Sequence, residues 1–427
     1  MKPLLVALLF LSAAVPVARS DQAAEPQSPE KRADGAEPPS QADVWRQQRA
    51  EKLRHIVPYR QGGLESGLLW FEEKGIKLLS YSVFGFRPKI GGLPTGGGFA
   101  LGTQFHLPNP THSRPNLDGT AVWSMRGYQR YQIKFGKHER EDRGALLYAD
   151  LRYRKYPQED FFGLGPRSTV RERTNFSLED ATYDGVIGYR AARWLESTFR
   201  FGYMQVNVDT GTDRRFPDTH RLFNDSTAPG LADQPSFFHW AYSITADGRD
   251  VPGNPHKGGS VKGTFSRFTD VDRHAFSFDR LAVDADGYLP LGSTVRVLAV
   301  HFYGSGDRAE PGSRVPFYMQ ETLGGSESLR GFREYRFRDR YLFYLSGEYR
   351  WEPVRAVELA LFYDTGKVFS RRDELDFTGL RKSVGIGIRF KTPGGVVLRV
   401  DAARSNEGTR IYFKFTPSFK DLSIRDQ

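Results

Sequence analysis

Leu323-Gly-Gly-Ser-Glu-Ser-Leu-Arg-Gly-Phe332 lies between two tracts of alternating residues and is too glycine-rich and polar to continue either. It reads as a long loop that folds back inside a barrel. Gly324, Gly325 and Gly331 would equally relieve backbone strain in an ordinary surface turn. The match Leu329-Arg330-Gly331-Phe332 therefore takes its meaning from the segments around it.

Downstream come Tyr341-Leu-Phe-Tyr-Leu-Ser-Gly-Glu-Tyr-Arg350, Leu361-Phe-Tyr-Asp-Thr-Gly366 and Val384-Gly-Ile-Gly-Ile-Arg-Phe-Lys-Thr-Pro393. Each sorts its residues onto two faces with the period of a strand. In 341 to 351, Tyr341, Phe343, Leu345, Tyr349 and Trp351 oppose Ser346, Glu348 and Arg350. In 357 to 365, Val357, Leu359, Leu361, Tyr363 and Thr365 oppose Glu358, Ala360, Phe362 and Asp364. Val384, Ile386, Ile388 and Phe390 oppose Ser383 and Arg389; Val396, Leu398 and Val400 oppose Arg399 and Asp401; Ile411, Phe413 and Phe415 oppose Arg410, Tyr412 and Lys414. One face is apolar and the other carries charge.

Alternation alone would also suit a soluble β-sandwich, but connection length decides against it. Arg190-Ala-Ala-Arg193, Leu291-Gly-Ser293 and Thr392-Pro-Gly-Gly395 are short, whereas 210 to 236 and 306 to 340 are long. Short turns on one rim and long loops on the other characterise an outer-membrane barrel, and 76 to 419 is too long for one sandwich. The expected fold is all-β: a transmembrane antiparallel β-barrel with the Leu-Arg-Gly-Phe loop turned inward. Strands are expected near 409–419, 395–405, 381–392, 356–369, 341–352, 293–306, 275–290, 257–270, 236–249, 194–209, 178–191, 144–156, 121–136, 96–107 and 77–88. That makes fifteen. Parity asks for a sixteenth, with 60 to 75 as its candidate place.

The N-terminus points to export. Met1 to Ser20 has Lys2, an apolar run from Leu4 to Leu11 and Ala18-Arg-Ser20 as a small-residue cleavage site, the pattern of a signal peptide. The mature chain would begin at Asp21. Residues 21 to 40 carry four prolines among polar residues and read as a disordered linker. From 41 to 75 the chain suggests short helices, at 42–57 and around Leu68-Leu-Trp-Phe71, that would plug or flank a barrel. Residues 420 to 427 form a C-terminal tail.

Composition narrows the function. The chain has no cysteine, 32 Phe, 20 Tyr and 44 Gly. Mean hydropathy is −0.53, and after the signal peptide no run approaches the roughly 18 apolar residues of a membrane helix. Aromatic and glycine richness without such runs suits many short half-exposed strands. No Gly-x-Ser-x-Gly, His-Glu-x-x-His or P-loop occurs, and the nine histidines never pair at metal spacing. No catalytic residue, metal ligand or cofactor is expected. The net charge of +10 does not imply nucleic acid, because the basic residues alternate along strands instead of forming a patch. Contact with lipopolysaccharide, or a cationic lumen, suits the charge better.

In their order, the quoted segments resemble the barrel domain of the BamA/TamA-type outer-membrane proteins, the bacterial surface antigen family. The resemblance is strongest over 310 to 419, weaker from 144 and poor before 76. It implies a sixteen-strand barrel whose sixth extracellular loop carries Arg330. It also implies that Asp364 holds that arginine, with Gly331 and Phe332 beside it and Glu348 as the alternative partner. The tract Pro157-Gln-Glu-Asp-Phe-Phe-Gly-Leu-Gly-Pro166 resembles a family loop that shapes the rim. Ile411, Phe413, Phe415 and Phe419 are similar to the closing strand by which barrel-assembly machinery recognises its clients. The family usually carries periplasmic POTRA repeats ahead of the barrel, and the 55 residues from 21 to 75 (75 − 21 + 1) are too few for one.

The function implied is insertion or translocation of an unfolded outer-membrane protein or a lipid at the bacterial outer membrane. A passive pore for small solutes is the alternative, as is a surface-exposed barrel that binds a partner through its loops. An inward-folded loop would obstruct the pore.

Overall fold

The computed structural model describes Glu51 and residues 84–107, 115–138, 142–354, 356–392 and 395–415. The chain divides into two units, Met1–Gln61 and Gly62–Gln427. The first lies outside the described residues except for Glu51. The expected signal peptide, linker, N-terminal helices, candidate strand at 60–75, Phe419 and the C-terminal tail also lie outside them.

Sixteen strands form one antiparallel sheet in which each pairs with the next along the chain. They are β1 (Phe86–Ile90), β2 (Ala100–Leu107), β3 (Asn116–Ser124), β4 (Gln129–Lys137), β5 (Gly144–Phe161), β6 (Thr174–Ala192), β7 (Leu195–Thr210), β8 (Phe237–Asp247), β9 (Gly258–Asp270), β10 (Phe278–Leu291) and β11 (Ser293–Ala309), followed after the long loop by β14 (Tyr341–Val354), β15 (Val357–Phe369), β16 (Arg381–Thr392), β17 (Gly395–Ser405) and β18 (Gly408–Lys414). The loop itself holds a small separate hairpin, β12 (Glu321–Leu323) with β13 (Phe337–Asp339). Among the described residues, no ladder joins β1 to β18.

Sidedness follows the alternation. Leu361, Val384, Ile386, Ile411 and Phe413 are each about 60% exposed on the outer, lipid-facing wall (58%, 59%, 58%, 60% and 65%). Glu348, Asp364, Arg389, Arg399 and Asp401 are buried on the inner wall. Buried charges on one face and exposed aliphatics on the other invert a soluble protein's arrangement and suit a strand wall set in lipid.

Two expectations require correction. The tract 121–136 is not one strand but parts of β3 and β4, joined by a tight turn in which Gly127 has φ +78° and Gly127 N donates to Ser124 O at 3.0 Å. Odd-numbered residues face outward on both sides of this turn, as exposed Trp123, Ile133 and Phe135 show, so the alternation passes through the reversal unbroken. This hidden reversal brings the strands among the described residues to sixteen without 60–75, which lies outside them. The second correction concerns 306–340: β11 continues to Ala309, and the alternating run Arg336-Phe-Arg-Asp339 becomes β13 against β12.

Rim asymmetry is as expected for 192–195, 291–293 and 392–395, and Val354 also turns directly into Val357. Three connections on that rim are longer, 108–115, 138–143 and 248–257; in the last, Arg249 forks onto Asp247 at 2.9 and 2.7 Å. The opposite rim carries 162–173, 211–236, 310–340 and 370–380.

Candidate functional site

The loop between β11 and β14 passes into the lumen and brings Arg330 to the wall, 3% exposed. Its guanidinium sits 3.4 Å from the ring centroid of Phe362. Nε and Nη2 donate to Asp364 Oδ2 and Oδ1 at 3.0 and 2.6 Å, the two-pronged geometry that suits a planar guanidinium. Nη1 donates to Glu348 Oε1 at 2.6 Å and Nη2 to Ser346 Oγ at 3.1 Å. Asp364 and Glu348 thus hold Arg330 together instead of competing for it.

Each carboxylate is supported in turn. Asp364 also accepts from the Arg330 backbone N–H at 3.1 Å, Ser346 Oγ at 2.7 Å and Ser383 Oγ at 3.1 Å. Cross-strand pairing explains this convergence, because Ser346, Asp364 and Ser383 lie opposite one another on β14, β15 and β16. Glu348 is shared with Arg350 at 2.9 Å and Arg389 at 2.8 Å, and Arg389 reaches Glu358 at 2.5 Å. Buried charges are tolerable only when paired and hydrogen-bonded in this way.

Gly331 lets the loop approach the wall. A Cβ there would lie 2.6 Å from Ser383 Cβ, 2.8 Å from Ser405 Cβ and 3.0 Å from the Arg404 carbonyl carbon. Gly331→Ala should therefore lower the heat stability of the folded barrel by about 1–3 kcal/mol through overpacking. Adding Ser383→Gly should return part of the loss; an unchanged melting midpoint in the single variant would show that the loop does not sit so close. Phe332 is fully buried among Leu329, Phe337, Leu342, Tyr344 and Val368.

The loop tip reaches the β1–β2 connection on one side and the last two strands, β17 and β18, on the other. On one side, Ser326 Oγ lies 2.8 Å from Thr95 Oγ1 in the β1–β2 connection. On the other, Arg399 donates to Ser326 O at 2.8 Å, Lys414 pairs with Glu327 at 3.3 Å, Ser405 donates to Gly331 O at 2.7 Å and Tyr412 to Phe332 O at 2.5 Å. Burial pushes the carboxyl of Glu334, in the same loop, above its ordinary range, opposed by Lys414 and the Thr95 hydroxyl. Of the closing-strand residues, Ile411, Phe413 and Phe415 face outward.

A cavity of about 490 Å³ lies beside the loop. Its lining runs from Arg152, Met204 and Phe268 on the far wall, past Leu323 and Ser328, to Leu93 and Phe99 near β1 and to Ile411 and Phe413 on β18 and Phe415 just beyond it. Residues of both sheet edges, including outward-facing ones, border the same space.

A second tie was not foreseen. The connection 162–173 folds over the loop: Gly165 N donates to Arg338 O at 2.8 Å, Arg336 donates to Ser168 Oγ and O at 2.9 and 2.8 Å, and Arg381 donates to Pro166 O at 2.6 Å. Arg338 is 1% exposed, close to the rings of Phe161, Phe176 and Phe317, with Glu159 3.7 Å away. The tract 157–166 therefore packs inward, with Pro157 to Phe161 inside β5. The signal for Phe362 was its place as an aromatic residue on the charged face of β15. The β10–β11 ladder also sets His301 opposite Asp286 and near Asp284, a juxtaposition that linear spacing does not show.

A family model described as the Omp85 superfamily domain matches residues 118–419. BamA from Haemophilus ducreyi lacking POTRA domains 1–3 superposes with TM-score 0.57 at 16% identity, over 78% of this chain and 68% of that one. CdiB from Escherichia coli superposes with TM-score 0.50 at 13% identity, over 78% of this chain and 63% of that one. These likenesses carry the fold. No curated protein matches the chain in sequence.

Proposed function

The chain belongs to the Omp85 superfamily and is an outer-membrane β-barrel; from that premise we propose that it inserts or translocates polypeptide or lipid clients, using the gap between β1 and β18 as the passage. The observation that carries this reading is a cavity that reaches from the far lumen wall to β18, with no ladder between β1 and β18 among the described residues. An unpaired strand edge offers backbone donors and acceptors that an incoming strand can take up. From inside, the loop grips Thr95 in the β1–β2 connection and Arg399, Tyr412 and Lys414 on β17 and β18, so it acts as the gate. A plain diffusion pore is the weaker reading, because the inward loop, with its buried arginine and aromatic rings, occupies part of the lumen.

A disulfide staple tests the proposal, and the absence of cysteine makes an introduced pair unique. An ideal Cβ on Gly91 lies 3.5 Å from Phe415 Cβ, within the usual span of a disulfide. Gly91 has φ +75°, so Gly91→Cys adds roughly 1–2 kcal/mol of strain that the fold must absorb. Vesicles containing the reduced Gly91→Cys/Phe415→Cys protein should speed the folding of an unfolded outer-membrane protein. Oxidation should abolish that acceleration, and reduction restore it. Equal acceleration by the oxidised form would show that the gap is not the passage, and no acceleration by the cysteine-free parent would remove the assembly reading.

A further inference from the structure

Away from the loop, β10 and β11 place three ligand-bearing side chains together on the inner wall. Asp284 and Asp286 stand two residues apart on one face of β10, and His301 lies opposite Asp286 on β11. One ligand atom from each falls within 4.8 Å of the others, and His301 Nε2 is already 2.9 Å from Asp284 Oδ1. A metal with bonds of roughly 2.0–2.2 Å to nitrogen and oxygen holds its ligand atoms roughly 3.0–3.5 Å apart. One pair stands close to that spacing, and the other distances, all within 4.8 Å, would shorten on binding.

A second observation points to a missing partner. The side chain of Asp286 is 7% exposed. Its Oδ2 is taken by Ser260 Oγ at 3.2 Å and approached by Arg249 at 3.5 Å, whereas Oδ1 is buried and has no hydrogen-bond partner. A buried carboxylate oxygen without a donor is costly. Ser260 and Arg249 play the orienting part that outer partners play for metal-binding carboxylates.

We propose that Asp284, Asp286 and His301 bind a divalent cation of the Zn²⁺ or Mn²⁺ type, through one imidazole nitrogen and carboxylate oxygens, tying β10 to β11 on the lumen wall. Two fixed cations stand nearby: Arg249, and Lys262 opposite Asp284 in the β9–β10 ladder. They oppose any incoming cation. An ion that gains from an imidazole ligand overcomes that opposition better than Mg²⁺, which prefers oxygen and keeps its water.

The test is calorimetric titration of the chelator-treated, folded full-length chain with Zn²⁺, beside Mg²⁺ and the variants Asp286→Asn, His301→Gln and His138→Gln. The last touches a separate rim group in which His138 Nε2 lies 3.6 Å from Asp118 and His106 pairs with the same carboxylate. One Zn²⁺ per chain is expected, with at least tenfold weaker binding in Asp286→Asn and His301→Gln and none of that loss in His138→Gln. Should Asp286→Asn fail to fold, His301→Gln and the visible absorption of Co²⁺ bound to the His138→Gln chain give the same reading. Unchanged affinity in folded His301→Gln, loss only in His138→Gln, or no Zn²⁺ binding by the parent would overturn the proposal.

Discussion

Arg330→Ala should cost the folded barrel about 3–5 kcal/mol and open 306–340 to protease, because it strands Asp364 as a buried carboxylate and takes from Glu348 one of its three arginine partners. Asp364→Asn should loosen the loop in the same way. The double variant should lose much less than the two single losses added, since either change already removes the shared interaction. The measurement is a double-mutant cycle on heat stability in detergent, with cleavage within the loop as a second readout. Glu348→Gln should couple to Arg330 as well, a result that pairing with Asp364 alone would not give. Lysine at 330 should recover only part of the loss: an ammonium cannot span Asp364, Ser346 and Glu348 while lying flat on Phe362. Strict additivity between 330 and 364 would show that the two groups do not share the energy.

The outer wall gives the other large effect. Leu361→Arg places a charge on the lipid face of β15 and should cost about 2–4 kcal/mol, measured by folding into lipid vesicles. Val354→Arg, at the turn end of β14, should cost only about 0–1 kcal/mol, because an arginine near the interface reaches water. The reverse ranking would misplace the membrane belt. Ala360→Arg, on the lumen face of the same strand, should not be mild either. Ala360 is 3% exposed and pairs across the ladder with Arg350, so an added guanidinium there meets packed side chains and a like charge.

What the chain reveals in linear form depends on which physical signal carries it. Strand period and face were legible over 341–415 because lipid on one side and packed charges on the other enforce strict alternation, as Leu361 against Asp364 shows. The turn at 125–128 was hidden because it preserves the phase of that alternation, and glycine at 127 was its one local mark. Arg330 and Asp364 could be singled out through the order of their motifs, whereas Ser346 and Ser383 join the site only through ladder register. The ties from Arg336 to Ser168 and from Arg381 to Pro166 span 168 and 215 residues. Nothing in a local window encodes partners so remote. Phe362, an aromatic residue among charges, was visible but its meaning depends on a guanidinium delivered by another segment.

The link between Thr95 and Ser326 bridges 231 residues of chain. Neighbouring strands can zip pairwise through short turns, each step closing a small loop, but this contact waits until nearly the whole sheet has curled round. The interior ties are therefore late events on the folding route. Until they form, the nascent wall exposes two bare edges, and the greasy strand ending in Phe413 and Phe415 is one of them. The same chain must thus spend the slowest part of its own maturation in its most adhesive state.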